Sequence, residues 1–166
     1  MKCPVCNSEI KIKETIKEIP HFGKVRIVSL QCPNCGWHRA DVHLLAEGNP
    51  KEFSFKVNEE TLRKLFVKTE GTSIEIPELD LELKPIFGEN RITTVEGILD
   101  DFIERVEQLK RDNPNNEKVK KILQALKEAK EGKRELEVKV RDIYGIAKLM
   151  DNPVKEDNEK AIKPPK

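Results

Sequence analysis

Four cysteines constrain this chain more than any other feature. They are the only four in its 166 residues, and they fall as Cys3-Pro4-Val5-Cys6 and Cys32-Pro33-Asn34-Cys35. Two C-x-x-C pairs lie either side of a 25-residue arm. Two intervening residues let both sulfurs of a pair point at one ion, so two such knuckles can close a tetrahedron of thiolates. Zinc suits that site best, being soft enough for sulfur and without a d-electron preference against the geometry. An iron site of rubredoxin type, or disulfides and a redox dithiol, are the alternatives. With Cys3, Cys6, Cys32 and Cys35 all engaged, no position stays open for water, so the metal is expected to hold structure and not to do chemistry.

The arm reads as a hairpin. Ile10, Ile12 and Ile16 share one parity among Lys and Glu residues, Pro20-His21-Phe22-Gly23 breaks the run, and Val25 to Leu30 return the chain to Cys32. A hairpin clamped at its base is a zinc ribbon, with too small a core to fold without its ion. Gly36-Trp37 follows the last ligand. As the only tryptophan, Trp37 is either a plug packing the ribbon on its neighbour or an interface anchor. His38, Asp41 and His43 are the residue types of a two-His-one-carboxylate iron site, but His38 has the opposite strand parity, which argues against a shared ion.

Gly48-Asn49-Pro50 marks the predicted boundary, giving a ribbon at 1–47, a β-domain at 48–154 and a polar tail at 155–166. Phe53, Phe55 and Val57 alternate as a strand. Asn58 to Phe66 reads as a short helical turn capped by Asn58, with Leu62 and Leu65 inward. Ile74 and Ile76 make a strand, Pro77-Glu78 interrupts it, and Leu79, Leu81 and Leu83 continue it, placing Glu78 and Asp80 together on the opposite strand face. Paired carboxylates can do acid–base work, but a solvated face or a partner's cations are the commoner uses. Thr93 with Glu96 predicts a capping box. It opens a helix whose stripe is Val95, Ile98, Leu99, Phe102, Ile103, Val106 and Leu109. A turn at 112–116 and a second apolar stripe, Val119 to Ala129, complete an αα-hairpin over about 94–132. Leu136, Val138 and Val140 alternate as a strand, a tight turn follows at 142–145, and a last short strand ends at Met150.

Composition restricts the function classes. Basic residues number 31 and acidic residues 30, a net charge of +1 with 5% aromatics, so the chain offers neither a phosphate footprint nor a stacking platform for nucleic acid. No apolar run is long enough for a bilayer, a first knuckle at Cys3 leaves no room for a signal peptide, and zinc thiolates suit a reducing cytoplasm. No glycine-rich phosphate loop, nucleophile elbow or histidine metal set supports an enzyme.

Several stretches together resemble the ZPR-type zinc-finger proteins. They are the paired knuckles with their arm, Ile19-Pro20-His21-Phe22, Cys35-Gly36-Trp37, Val67-Lys68-Thr69, Ile76-Pro77-Glu78-Leu79-Asp80 and Thr93-Thr94-Val95-Glu96-Gly97. The likeness covers about residues 1 to 150, in the single-module form of archaeal members. It implies a mostly β fold: a zinc ribbon followed by a double-stranded β-helix with an inserted helical hairpin. It also implies a zinc-dependent, non-catalytic module that binds translation elongation factor one-alpha and assists its folding. Phe22, Trp37, Glu78 and Asp80 are the residues expected to contact that partner. A nucleic-acid-binding zinc ribbon is the alternative function. The family's Asp-Asp-Pro-Ser-Gly-Asn turn is replaced here by residues 141–146, which keep Asp142 and Gly145.

Overall fold

The computed structural model describes residues 1–45 and 48–152. The expected tail at 155–166 lies outside them. The element order is β1 (Lys11–Ile19), β2 (Gly23–Gln31), β3 (His38–Leu44), β4 (Lys51–Val57), β5 (Leu65–Lys68), β6 (Thr72–Ile76), β7 (Leu81–Leu83), β8 (Arg91–Thr94), α1 (Val95–Asp112), α2 (Glu117–Lys130), β9 (Leu136–Asp142) and β10 (Lys148–Met150). The β1–β2 hairpin forms as the arm predicts, and β3 extends it into a sheet of order β1-β2-β3. The remaining strands form two antiparallel sheets, β10-β5-β8 and β4-β9-β6-β7.

Both of these sheets and both helices feed one apolar core. Phe66 of β5, Ile74 and Ile76 of β6, and Leu136, Val138 and Val140 of β9 pack with Ile98, Leu99 and Phe102 of α1 and Leu123 and Leu126 of α2. The helical stripe is buried as the 3.6-residue period requires, except at its end, where Leu109 is exposed. The fold is therefore mostly β, a ribbon plus a jelly roll carrying a helical hairpin.

Three local expectations need correction, and one strand was not expected. Asn58 caps a single turn, closed by the Leu62 amide on the Asn58 carbonyl at 3.0 Å with Leu62 buried, but the turn does not run on to Phe66. Asn58 Oδ1 accepts from the Thr61 amide at 3.0 Å, while the Thr61 hydroxyl accepts from the Asn58 amide at 2.9 Å and donates to the Lys56 carbonyl at 2.8 Å. That closed loop of side-chain bonds ends the turn, and Phe66 lies in β5. The cap of α1 is Thr94 and not Thr93: its hydroxyl accepts from the Gly97 amide at 3.0 Å. Thr93 belongs to β8, and its Oγ1 would lie 2.2 Å from a Cβ on Gly97, so the glycine is required for strand-to-helix packing. Glu78 and Asp80 are not strand neighbours. Pro77–Leu79 is one turn of 3-10 helix, closed by a bond from the Asp80 amide to the Pro77 carbonyl, with Asp80 left-handed at φ 54°. Proline at the head of the turn removes a ladder donor and diverts the strand. Finally, β8 is a strand that its sequence does not announce, and it pairs with β5 through Leu65↔Thr94 to Lys68↔Arg91.

Candidate metal centre and its support

The two knuckles are built alike. In the first, the Asn7 amide donates to the Cys3 carbonyl at 3.0 Å and the Cys3 amide to the Ser8 carbonyl at 2.8 Å; in the second, the Gly36 amide donates to the Cys32 carbonyl at 3.1 Å and the Cys32 amide to the Trp37 carbonyl at 2.7 Å. Each turn needs a left-handed residue just after its second cysteine. Asn7 supplies it at φ 60° and Gly36 at φ 78°. Asparagine and glycine tolerate that region where other residues are strained. The equivalence of Asn7 and Gly36 was not drawn from the sequence, although both residue types signal it.

The turns bring four sulfurs together. Their Sγ atoms all lie within 4.8 Å of one another, with Cys3 to Cys35 at 3.6 Å and Cys6 to Cys32 at 3.4 Å. A tetrahedral ion with zinc–sulfur bonds of about 2.3 Å places its ligands about 3.8 Å apart. A disulfide would need about 2.05 Å. The cluster therefore fits a tetrahedral cation and not a pair of cystines. Among the described residues no other group of histidines, cysteines and carboxylates converges in this way. His38, Asp41 and His43 go separate ways: His38 Nδ1 lies 3.4 Å from the Gly36 carbonyl, Asp41 pairs with Arg39 at 3.0 Å, and His43 stacks on Phe87.

Without a cation the thiols divide. Hydrogen bonds from the Ser8 side chain and backbone and from Asn34 hold the Cys6 thiol down at about 5. At Cys35 the Trp37 backbone amide acts in the opposite direction, but burial and the thiols of Cys6, Cys3 and Cys32 prevail and push it up to about 12. One site cannot hold several thiolates without a positive ion, and a bound dication removes that conflict.

The ribbon is seated on the jelly roll by its far end. Phe22, Val25 and Leu44 pack against Val67 of β5, with Tyr144, Ile146 and Met150 around them. Phe22 is only 7% exposed and fills this seam, so it is not available to a partner; that corrects the expectation for this residue. Trp37 is half-buried and belongs to neither apolar cluster, so Phe22 and not Trp37 acts as the plug. Polar bonds fix the seam. The buried carboxylate of Glu70 accepts from the Leu44 amide at 3.0 Å and the Gly88 amide at 2.8 Å. Asn90 donates to the Val42 carbonyl at 2.9 Å and accepts from the Glu70 amide at 2.9 Å. Glu78 and Asp80 are both exposed, far along the chain from this seam; they line an open groove of about 680 Å³ shared with Lys118, Lys121 and Arg134.

Comparison with known proteins agrees with this architecture. Residues 1–47 match the ZPR1 zinc-finger domain and residues 60–164 the ZPR1 jelly-roll domain. The chain belongs to the ZPR1 family. It is 32% identical over 165 residues to a ZPR1-like protein of Pyrococcus horikoshii, covering 92% of this chain and 73% of that one. It is 29% identical to a ZPR1-like protein of Methanocaldococcus jannaschii, covering 95% and 83%. The protein named zinc finger chaperone zpr1 of Schizosaccharomyces pombe is 35% identical over 124 residues, 70% of this chain but 27% of that longer protein. Family membership and the four-sulfur geometry make zinc the cofactor that this centre is built for. No helix among the described residues is long and apolar enough to cross a membrane.

Proposed function

We propose that Cys3, Cys6, Cys32 and Cys35 hold one structural zinc, and that the protein is a non-catalytic binding module that engages translation elongation factor one-alpha in the cytoplasm and assists its folding. The observation that carries this reading is the closed four-sulfur centre, whose ligands are all supplied by the chain. A closed centre stabilises a surface and activates no water. The family supports the reading, since a relative bears the name zinc finger chaperone. Trp37, Glu78 and Asp80 are the proposed contacts. Trp37 offers a half-buried indole beside the knuckle, and tryptophan is enriched where interfaces concentrate their energy. Glu78 and Asp80 project from a rigid 3-10 turn; Glu78 Oε1 is held by the Glu137 amide at 2.9 Å, which orders one carboxylate and leaves Asp80 free to meet a partner's cation.

Calorimetry with the purified GTPase, loaded with GDP or GTP, tests the proposal. Micromolar or tighter binding is expected, weakened about tenfold by Trp37→Ala with the fold retained. Absence of binding in both nucleotide states, together with no effect on refolding of the GTPase, overturns it. A salt-dependent gel shift with RNA would then favour the nucleic-acid function.

A further inference from the structure

The ribbon sheet has two edges, and the molecule treats them differently. The outer edge of β3 is engaged: the Leu44 amide bonds to Glu70 and the Val42 carbonyl to Asn90. The outer edge of β1 is bare. Among the described residues no hydrogen bond from another element reaches the backbone of Lys11 to Glu18 other than those from β2. Nine residues of antiparallel strand whose outward backbone bonds are unmade form a template for another strand.

The side chains of β1 say what kind of strand fits. Even-numbered residues lie on the face turned away from the jelly roll, since the opposite face carries Ile19, Val25, Ile27, Val42 and Leu44 into the seam. A solvent-facing sheet surface is ordinarily polar. Here it holds Ile12, 52% exposed, beside Leu30, and Ile16, 65% exposed, next to half-buried Val28. The odd-numbered face of β1 carries Lys11, Lys13 and Lys17, none of which has an ion-pair partner among the described residues. A strand added to this edge would therefore set apolar residues beside Ile12 and Ile16 and acidic residues beside Lys13 and Lys17.

We propose that the free edge of β1 is a docking rail for an extended polypeptide segment in which apolar and acidic residues alternate, added to the ribbon as a fourth strand. A second copy of this chain is a poor occupant. Antiparallel self-pairing centred on Thr15 sets Lys13 against Lys17, centring on Glu14 sets Lys11 against Lys17, and centring on Ile16 sets Glu14 against Glu18. Like charges directly opposite are destabilising. The lysines thus select against self-association while attracting an acidic segment. This inference goes beyond the reading above, because it rests on the edge and its charges and not on the identity of any client.

The test uses the zinc-loaded full chain, labelled for amide NMR, and two end-blocked peptides: Val-Glu-Thr-Glu-Val-Glu-Thr and its counterpart with lysine for glutamate. The acidic peptide is expected to shift the β1 amides and to slow their exchange, and to bind about tenfold tighter than the lysine peptide. Lys13→Glu with Lys17→Glu, both exposed positions, should reverse the preference, and Ile16→Ser should weaken both peptides. Shifts confined to other elements, a preference that the double charge reversal leaves unchanged, or no binding at millimolar peptide overturns the proposal. So does stronger binding of a single-stranded oligonucleotide at the same amides, or β1 shifts produced simply by truncating the chain after Asn152, which would make its own C-terminal segment the occupant. GTPase binding measured in parallel separates the two ideas, since it can survive failure of the rail and the rail can survive failure of GTPase binding.

Discussion

Removing the Asp142 carboxylate should cost more stability than any other single polar change in the described fold. The side chain is fully buried, and its two oxygens take four donors. Oδ1 accepts from the Thr69 hydroxyl at 2.7 Å and the Tyr144 amide at 3.2 Å; Oδ2 accepts from the Ile146 amide at 2.8 Å and the Ala147 amide at 2.7 Å. The residue thereby joins the β5–β6 turn to the β9–β10 turn, where Gly145 passes so close to Asn49 that a Cβ would lie 2.2 Å from its carbonyl oxygen. Asp142→Asn can keep its oxygen toward Ile146 and Ala147. Its amide can donate to Thr69, whose hydroxyl then turns to Thr72, 3.1 Å away. The Tyr144 amide then faces a donor and the Thr72 hydroxyl, which gives its proton to Thr69, loses that acceptor, so the loss should be about 2–3 kcal/mol, the lower part of what two unsatisfied groups cost. Asp142→Ala orphans all four donors and should lose on the order of 4–6 kcal/mol, a large share of the roughly 5–15 kcal/mol that holds a domain together. Urea unfolding of zinc-loaded protein, followed by circular dichroism, should show the Asn variant's midpoint lowered by about 1 M and the Ala variant unfolded at far lower urea. Equal effects of Asn and Ala, or a loss below about 0.5 kcal/mol for Ala, would refute the hydrogen-bond argument.

Three further outcomes are expected. Cys32→Ser should release the metal and expose residues 1–45 to protease while 57–147 stay resistant, because the main core draws on no ribbon residue; cleavage throughout the chain would contradict this. Titrating zinc at pH 7.5 in buffers of different ionisation enthalpy should register at least one proton released per ion but fewer than four, since Cys6, held down at about 5, arrives as a thiolate while Cys35, pushed up to about 12, still holds its proton; four or none would be inconsistent. Because protons and zinc compete for Cys35, affinity should fall as pH falls. Phe22→Ala should cost about 3–5 kcal/mol at the seam, read as earlier melting of the ribbon signals with the helical hairpin little changed, and a surface-like loss below about 0.5 kcal/mol would mean that the seam is not packed.

The sequence by itself determined whatever depends on short spacing. Two residues between cysteines make a knuckle wherever the chain goes, so the convergence of the four cysteines was readable, as were the β1–β2 hairpin, both helical stripes and the alternation of β4, β6 and β9. Tertiary structure decided what two distant segments do to one another. β5 shows no alternation because it is buried on both sides, with Phe66 in the jelly-roll core and Val67 under the ribbon, and only the fold supplies both coverings. β8 is polar and short, and becomes a strand only because β5 offers it a partner. Phe22 looked like a surface anchor until the jelly roll closed over it, and Glu78 and Asp80 looked like strand neighbours until Pro77 turned the chain. Glu70 and Asn90 carry no local signal at all: the Leu44 amide and the Val42 carbonyl that they bond lie 26 and 48 residues away. Asp142 opens a turn that its neighbours mark, but its Thr69 donor lies 73 residues away, and a buried carboxylate or amide announces its full role only when the donors and acceptors it satisfies have been brought to it.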